Sequence, residues 1–394
     1  METIHRDFID AWQRFDHWLT TSLFPKWAAQ GFAENGAALE CFDGEGKPDW
    51  QADKRMRVQS RQIFSMCYGY KKGFLPEGKA LAQATEQFIS NACPDALPGF
   101  YPMTLDASDK VKNAATDLYD VAFFLLAYSW QKDALNDDHA LLKAKNLALH
   151  VDTVLKSDHG GWLEGTYAHT TRRQNPHMHL FEAFIHLYRV SNDMFWLERC
   201  NQVYAMFEEH FFDAQHGVLL EFFTTDWHPC PSDGRSVEPG HMMEWVWLLH
   251  EFQTVSGTDT TRYQSVLYRH ARDYGLTPGN RWLHDTVTPE GTVVSSTFKS
   301  WPMTEWIKAA LVHSTLPDNA NREQDIASAT FAIHQLIDGF SHPQLEAHYT
   351  YVIDSNGQPV DPKMAASTLY HLCMAHNEAS RFAAAFAESS AASG

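Results

Sequence analysis

Six polar or ionisable residues recur along this chain at nearly constant spacing, and their side chains are those that acid–base chemistry uses. They are Arg61, Tyr119, His179, His241, Glu305 and His371, and successive members are separated by 58, 60, 62, 64 and 66 positions. Each lies in or beside an apolar segment of helical periodicity, where an ionisable group is costly unless it is paired or useful. One interpretation is six separate core or rim residues with local hydrogen bonds. The regular spacing favours the other, a single pocket that gathers all six.

A period near sixty residues fits two helices and their loops, which is one helical hairpin. Six hairpins in a ring would direct one residue per hairpin toward a common axis. Helical periodicity supports that number, because it predicts twelve helices at 5–30, 57–73, 80–93, 113–130, 138–156, 177–190, 193–210, 241–256, 261–274, 301–314, 322–339 and 364–385. No stretch rich in proline, glycine or serine divides the chain. We therefore expect one all-α toroidal domain over residues 1–394, with a frayed tail at 385–394.

Between the predicted helix pairs lie segments with turn residues and alternating patterns, such as DHGGWLEGTYAH and AHYTYVIDSNGQPV. These predict short β-hairpins or extended loops. Because they recur in the same half of each unit, all should emerge at one end of the ring, where ligands commonly bind. The candidate walls of such a pocket are Trp162, Trp227, Trp282 and Trp301.

The bulk composition excludes several classes of partner. The 394 residues carry a formal charge of −18, so no basic surface is present for nucleic acid or an anionic membrane. The N-terminal segment is an amphipathic helix with charges throughout rather than a signal peptide, and no run has the apolar length of a membrane span. Six scattered cysteines without a CxxC pair indicate free thiols. We expect a cytoplasmic protein.

Two segments place a histidine three residues before a glutamate on one helical face. NPHMHLFEA pairs His179 with Glu182, and EPGHMMEW pairs His241 with Glu244. One use is a histidine base whose pKa the carboxylate tunes. A metal site is the rival interpretation, although di-metal helical bundles use the order Glu-x-x-His, which is reversed here. The prediction is therefore that the site holds no metal.

Two further functions compete with histidine chemistry. A glycoside hydrolase would use Glu244 and Glu305 as its acid and base, but it leaves three periodic histidines unexplained. A sugar-binding or interaction protein would have little use for three histidines and an arginine. Motifs of nucleophilic hydrolases and of nucleotide binding are absent. Histidines with one arginine fit proton abstraction from a carbon acid best, since arginine stabilises an enediolate oxygen.

The motifs NPHMHLFEAF, EPGHMMEWVWLL, WPMTE and STLYH, with SRQIF and LYDVAF upstream, resemble the N-acylglucosamine 2-epimerase family over essentially the whole chain. The resemblance implies an (α/α)6 barrel that epimerises or isomerises sugars without a cofactor. Disaccharide-acting members carry a tryptophan five residues before the last histidine, and Ala366 stands there. The departure favours a free monosaccharide. Within the family the chain is most similar to the mannose isomerases, with sulfoquinovose isomerase a close relative.

The resemblance also implies roles for individual residues. His241 and His371 correspond to the two catalytic histidines that face each other across the sugar. The corresponding substrate-binding positions are Arg61, Tyr119, Asn175, His179, Glu244, Trp301 and Glu305. Arg57, Arg172 and Arg173 are candidates for an anionic substituent.

These roles predict a metal-independent interconversion of D-mannose and D-fructose, and of D-lyxose and D-xylulose, through a cis-enediol. His371 would take the C2 proton and return it to C1, while His241 would open the ring and move protons between O1 and O2. If His241 instead protonates C2 from the opposite face, the product is the C2 epimer. A 2-epimerase and a sulfoquinovose isomerase therefore remain alternatives, and the sequence leaves open which histidine removes the C2 proton.

Overall fold

The computed structural model describes residues 2–277, 279 and 281–393, and the chain there is dominated by helices. The α-helical segments are α1 (Glu2–His17), α2 (Phe24–Gln30), α3 (Met56–Lys72), α4 (Gly78–Ala92), α5 (Leu118–Leu135), α6 (Asp138–Val154), α7 (Gln174–Ser191), α8 (Met194–Met206), α9 (Pro239–Ser256), α10 (Thr261–Gly275), α11 (Trp301–Ser314), α12 (Arg322–Phe340) and α13 (Ala366–Ser393). A π-helical segment, Trp18–Leu23, joins α1 to α2 as one rod, and a second, Phe207–Phe211, extends α8. The described chain thus contains twelve helical rods.

The rods form two concentric layers. Helices α3, α5, α7, α9, α11 and α13 each pack on the next, and α13 packs on α3, so they form an inner ring. The outer layer consists of α1–α2, α4, α6, α8, α10 and α12, each packed on an inner helix. Inner helices are buried almost all round, as in α5, where every residue from Asp120 to Gln131 is buried. The predicted (α/α)6 barrel is confirmed.

Short strands lie in the connections that lead from outer to inner helices. They are β1 (Cys41–Phe42), β2 (Lys54–Arg55), β3 (Thr104–Leu105), β4 (Val111–Asn113), β5 (Arg172–Arg173), β6 (Phe212–Asp213), β7 (Val218–Leu219), β8 (Phe222–Phe223), β9 (Phe298–Lys299), β10 (Val352–Ile353), β11 (Pro359–Asp361) and β12 (Met364–Ala365). All pairs are antiparallel, and β9 pairs with β10 while β1 pairs with β12. These pairs tie successive connections together at the N-terminal ends of the inner helices, as the loop pattern predicted.

Helix boundaries differ from the prediction where capping and pairing decide them. The helix expected at 113–130 begins at Leu118, because Asp117 accepts a hydrogen bond from the backbone N–H of Tyr119 and caps it. The helix expected at 364–385 begins at Ala366, since residues 364–365 pair with β1. It continues to Ser393, and fraying of 385–394 stays a prediction; Gly394 lies outside the described residues.

No helix in the described part of the chain has both the length and the apolar character that crossing a membrane requires. The six cysteines are unpaired, and five of them are buried.

Candidate active site

A cavity of about 200 Å³ opens where the N-terminal ends of the inner helices meet. Its wall consists of Arg61, Tyr119, Asn175, His179, Glu238, His241, Glu244, Lys299, Trp301, Tyr351, Ser367, Thr368 and His371. Every inner helix contributes at least one of these side chains, because each functional position lies in the first two turns of its helix. The cavity is smaller than the roughly 300–1,000 Å³ of sites for drug-sized ligands, and it therefore suits a single small polar molecule.

The structure brings eight of the nine predicted site residues to this wall. Glu305 is the exception. Its side chain is fully buried behind His371 and reaches no part of the cavity surface. Glu305 contacts His371 and Lys308 instead, and its expected role as a substrate ligand stays a prediction.

His371 is arranged as a neutral base. Its Nδ1 lies 2.8 Å from Oε1 of Glu305, so the carboxylate accepts the Nδ1 proton and Nε2 keeps its lone pair. Burial lowers the pKa of His371 to about 4, against the opposing effect of Glu305. Above that pH the ring is uncharged.

His241 has the opposite electrostatic environment. Its Nδ1 lies 3.0 Å from Oε2 of Glu221 and 3.4 Å from Oε2 of Glu238. Burial disfavours the charged ring, but these two carboxylates outweigh it and raise the pKa of His241 to about 10. The ring is therefore an imidazolium at neutral pH and can donate a proton.

Trp301 lies between the two histidines. Its ring centroid is 5.1 Å from that of His241 and 5.3 Å from that of His371. Gly240 makes this position available, because a Cβ there would lie 2.7 Å from Cη2 of the indole. The indole spaces the two histidines around one cavity.

Arg61 supplies positive charge at a third point of the wall. Its guanidinium donates to the Tyr119 hydroxyl at 2.6 Å and lies 3.9 Å from the centroid of the Phe123 ring. Among the described residues, the buried guanidinium Nε has no hydrogen-bond partner. Arg61 also lines the cavity, so its guanidinium can meet a substrate oxygen there.

A buried polar layer, the cavity floor, consists of Glu182, Glu244, Glu305, Lys308 and Tyr370 beneath these groups. Glu182 accepts a hydrogen bond from the Tyr370 hydroxyl and contacts Nδ1 of His179 at 3.2 Å. Burial raises the pKa of Glu182 and raises that of Glu244 strongly, which favours the protonated carboxyl in both. Glu305 remains ionised because Lys308 Nζ lies 2.6 Å from its Oε2 and lowers its pKa to about 2.

In the described part of the chain, three groups of side chains have nitrogen and oxygen atoms close enough to bind one cation. They are His179, Glu182 and Glu244; Glu221, Glu238 and His241; and Glu244, Glu305 and His371, each with ligand atoms within 4.8 Å of one another. A divalent ion would need deprotonated carboxylates and neutral imidazoles. The raised pKa of His241 and the Lys308–Glu305 ion pair oppose that state in the second and third groups.

Three of the four tryptophans expected in the pocket wall lie elsewhere. Trp162, Trp227 and Trp282 are buried in the bases of the loops, and only Trp301 of the four lines the cavity. The prediction was wrong for the three because aromatic residues also fill the space beneath loops.

The arginines proposed for an anionic substituent already have partners within the protein. Arg172 is fully buried, donates to the Trp162 carbonyl and stacks 3.7 Å from the Trp227 ring, and Arg173 pairs with Glu164. Arg57 lies 3.3 Å from Asp120. Besides Arg61 and His241, the cavity wall contains Lys299 as a basic side chain.

Sequence reasoning missed the groups that set the protonation of the histidines. Glu238 and Lys308 each carried a signal, since each lies three residues from its partner on one helical face. Glu221 carried no such signal, because it lies 20 positions before His241 in the sequence and a loop brings the two side chains together. Tyr370 was missed because it lies in an apolar segment, next to His371.

The model of the N-acylglucosamine 2-epimerase (GlcNAc 2-epimerase) family matches residues 37–375. The chain belongs to this family. A protein of Rhizobium meliloti (strain 1021) named mannose-6-phosphate isomerase is 30% identical over 365 residues, which cover 91% of this chain and 94% of that protein. A crystal structure of D-mannose isomerase superposes with a TM-score of 0.79 at 18% identity and covers 97% of this chain and 98% of that one. The cellobiose 2-epimerase of Spirochaeta thermophila gives a TM-score of 0.82 at 18% identity, covering 96% and 98%. Family membership makes this protein a sugar isomerase or epimerase.

Proposed function

We propose that this protein is an aldose–ketose isomerase that interconverts D-mannose and D-fructose by histidine acid–base catalysis. The observation that carries the proposal is the opposed protonation of two histidines around one cavity. His371 is neutral with a free Nε2, and His241 is an imidazolium held by two carboxylates. Two titratable groups whose environments separate their pKa values are the arrangement expected of a base and its acid.

Each histidine has a definite task in the proposed reaction. His371 Nε2 removes the C2 proton of the open-chain aldose while His241 donates a proton to O1, which gives a neutral cis-enediol. His371 then returns its proton to C1, and His241 takes the O2 proton as the C2 carbonyl forms. Arg61 stabilises the charge that develops on the oxygens in between. Both histidines finish in the state in which they began.

The same electrostatics favour isomerisation over 2-epimerisation. Epimerisation would move a proton from one face of C2 to His371 while His241 supplied a proton to the other face. That exchange leaves a charged His371 and a neutral His241, and their pKa values of about 4 and about 10 strongly oppose this state. Isomerisation holds this state only at the enediol and ends with both histidines restored, since His371 returns the carbon-bound proton and His241 takes the O2 proton.

The cavity's size and lining support a monosaccharide substrate. About 200 Å³ holds one sugar ring, and the wall offers hydroxyl, amide and carboxyl partners together with the Trp301 indole. At the N-terminus of α13, Ala366 leaves no aromatic platform for a second ring. The proposed chemistry needs no metal, because Arg61 and His241 supply the positive charge at the substrate oxygens.

The test uses EDTA-treated protein with D-mannose in D2O, followed by proton NMR. The proposal predicts fructose with deuterium at C1 for the fraction of turnovers in which the base exchanges its proton with solvent. If the main product is instead glucose labelled at C2, the reaction is epimerisation rather than isomerisation. D-Mannose 6-phosphate belongs in the same assay, because the relative's name specifies that substrate. Activity that appears only after a divalent cation is added would contradict the metal-free mechanism.

The base is tested by His371→Gln, with His228→Gln as a matched control at an exposed position outside the cavity. We expect His371→Gln to lose at least about 10³-fold in kcat, since general base catalysis contributes roughly 10²–10⁴-fold, while the control keeps wild-type turnover. Deuterium entering C2 at an undiminished rate in His371→Gln would exclude His371 as the base.

A further inference from the structure

Lys308 carries a positive charge in the most enclosed part of the barrel. Its side chain is 0% exposed, and its Nζ lies 2.6 Å from Glu305 Oε2 and 4.0 Å from the centroid of the Trp247 ring. The contact with Glu305 is ionic, since its geometry falls outside that of a hydrogen bond. Buried ion pairs are costly compared with apolar residues of similar volume, so packing alone does not account for a lysine here.

Glu305 connects this charge to the active site. Its second oxygen, Oε1, accepts the Nδ1 proton of His371 at 2.8 Å. Lys308 itself does not touch the cavity, and Glu305 separates it from the substrate. The three side chains form a chain of contacts that ends at the free Nε2 of His371.

We propose that Lys308 is a positioning residue for the base: its charge keeps Glu305 ionised, and the ionised carboxylate holds the proton of His371 on Nδ1. The inference rests on the proposed function, in which His371 Nε2 removes the C2 proton. Lys308, which substrate never reaches, would thus set the pH above which His371 can act as a base.

The other ionisable groups around Lys308 do not compete for this role. Glu182 of α7 and Glu244 of α9 face it, and burial raises the pKa of both, which favours their neutral form, whereas the pKa of Glu305 is lowered to about 2. His179 of α7 is also neutral, because burial lowers its pKa well below the ordinary value. On α13, burial raises the pKa of Tyr370 well above its ordinary value, so its hydroxyl stays protonated.

Helices α3 and α12 provide the remaining surroundings of Lys308. From α3, the Arg61 guanidinium acts on His371 and lowers its pKa together with Lys308. Helix α12 meets another face of α11, where Ser328 accepts a hydrogen bond from Trp306. Among the groups named, Lys308 is the cation that neutralises Glu305.

Removing the positive charge of Lys308 leads to loss of the His371 Nε2 lone pair by either of two routes. In Lys308→Met the buried carboxylate loses its counterion, and the Glu305–His371 pair takes up a proton. If the imidazole takes it, His371 becomes a cation without a lone pair. If Glu305 takes it, the carboxyl donates to Nδ1 and the remaining ring proton moves to Nε2. Both routes remove the Nε2 lone pair over the pH range in which the pair holds the extra proton.

The experiment is the pH dependence of kcat/KM for Lys308→Met. Loss of an opposite charge at this distance raises an apparent pKa by about 1–3 units, so the acidic limb should move upward by that amount from its wild-type position. Because Lys308 does not reach the cavity, KM should change less than about threefold when it is measured at a pH above the acidic limbs of both the wild type and the variant. A folded variant with the wild-type acidic limb would overturn the proposal.

Lys308→Gln is the second variant, since its amide can donate to Glu305 Oε2 without a charge and reduces the risk of misfolding. It should show the same upward movement of the limb. The matched control is Lys308→Met combined with Glu305→Gln, in which the amide oxygen still accepts the Nδ1 proton and no buried charge remains. Its limb should return to within about half a unit of wild type, and a limb that stays raised would show that Lys308 does not act through Glu305.

A measurement independent of turnover separates this inference from the proposed function. Histidine labelled with ¹³C at Cε1 reports the titration of His371, identified as the signal lost in His371→Gln. If the wild type converts no sugar, the proposed function fails, and the titration still decides the role of Lys308. A titration of His371 that is the same in wild type and Lys308→Met would refute it.

Discussion

Replacing Glu221 with glutamine should lower the pH at which the acid catalyst loses its proton. Glu221 is buried and its Oε2 accepts hydrogen bonds from His241 Nδ1 at 3.0 Å and from Gln174 Nε2 at 2.9 Å. Its Oε1 has no partner in the protein. A glutamine of the same shape can therefore keep both contacts through its carbonyl oxygen and removes only the negative charge.

The size of the effect follows from Coulomb's law. Two unit charges 3.0 Å apart interact by about 5.5 kcal/mol at an effective dielectric constant near 20, which equals roughly four pKa units. The retained hydrogen bond and the second carboxylate, Glu238 at 3.4 Å, reduce the change to about 1–3 units. The pKa of His241, about 10 in the wild type, should fall to roughly 7–9 in Glu221→Gln.

The sign of the pH dependence is fixed by the direction of this pKa. A histidine whose pKa is raised in the folded protein keeps its proton, and the stability that proton confers, until the pH rises through the folded value. The proposed acid catalysis by His241 should be lost over the same interval. The basic limb of kcat/KM should therefore move down by about 1–3 pH units in Glu221→Gln.

The assay is the initial rate of fructose formation from mannose across pH 6–11, with thermal denaturation at each pH to separate catalysis from unfolding. Glu238→Gln is the graded comparison. Its carboxylate is farther from Nδ1 and its side chain is 23% exposed, so its effect should be the smaller. A basic limb that stays at its wild-type position in Glu221→Gln would refute the assignment of His241 as the acid.

Three other predictions test the surrounding structure. Gly240→Ala should lower kcat/KM by about 10–100-fold through displacement of Trp301, with the folded state retained by circular dichroism; unchanged kinetics would show that the indole position does not matter. Thr368→Val should raise KM about 2–10-fold without loss of stability, because the buried Oγ1 has no protein partner and lines the cavity; an unchanged KM would exclude a contact with substrate. Arg172→Met should lower the free energy of unfolding by about 3–5 kcal/mol in urea titrations, whereas the exposed control Arg269→Met should change it by less than about 0.5 kcal/mol.

Much of the site was predictable because helical periodicity preserves direction. Each inner helix has a residue in its first two turns that faces the axis, so a spacing near sixty residues is enough to group Arg61, Tyr119, His179, His241 and His371. Glu305 shares the spacing, but it lies deeper because its position in α11 places it against Lys308 rather than at the cavity surface. Periodicity therefore predicted which residues face inward and not their depth along the axis.

The amino-acid sequence alone determined the helical hairpins, their number and the residues that face the axis, since these follow from local patterns of apolar and polar side chains. Only the tertiary structure decided the protonation of the two histidines. Their pKa values depend on contacts between distant segments, with Glu221 from a loop charging His241 and burial against Glu305 keeping His371 neutral. Electrostatic energy varies with separation and burial in space, which spacing along the chain does not specify.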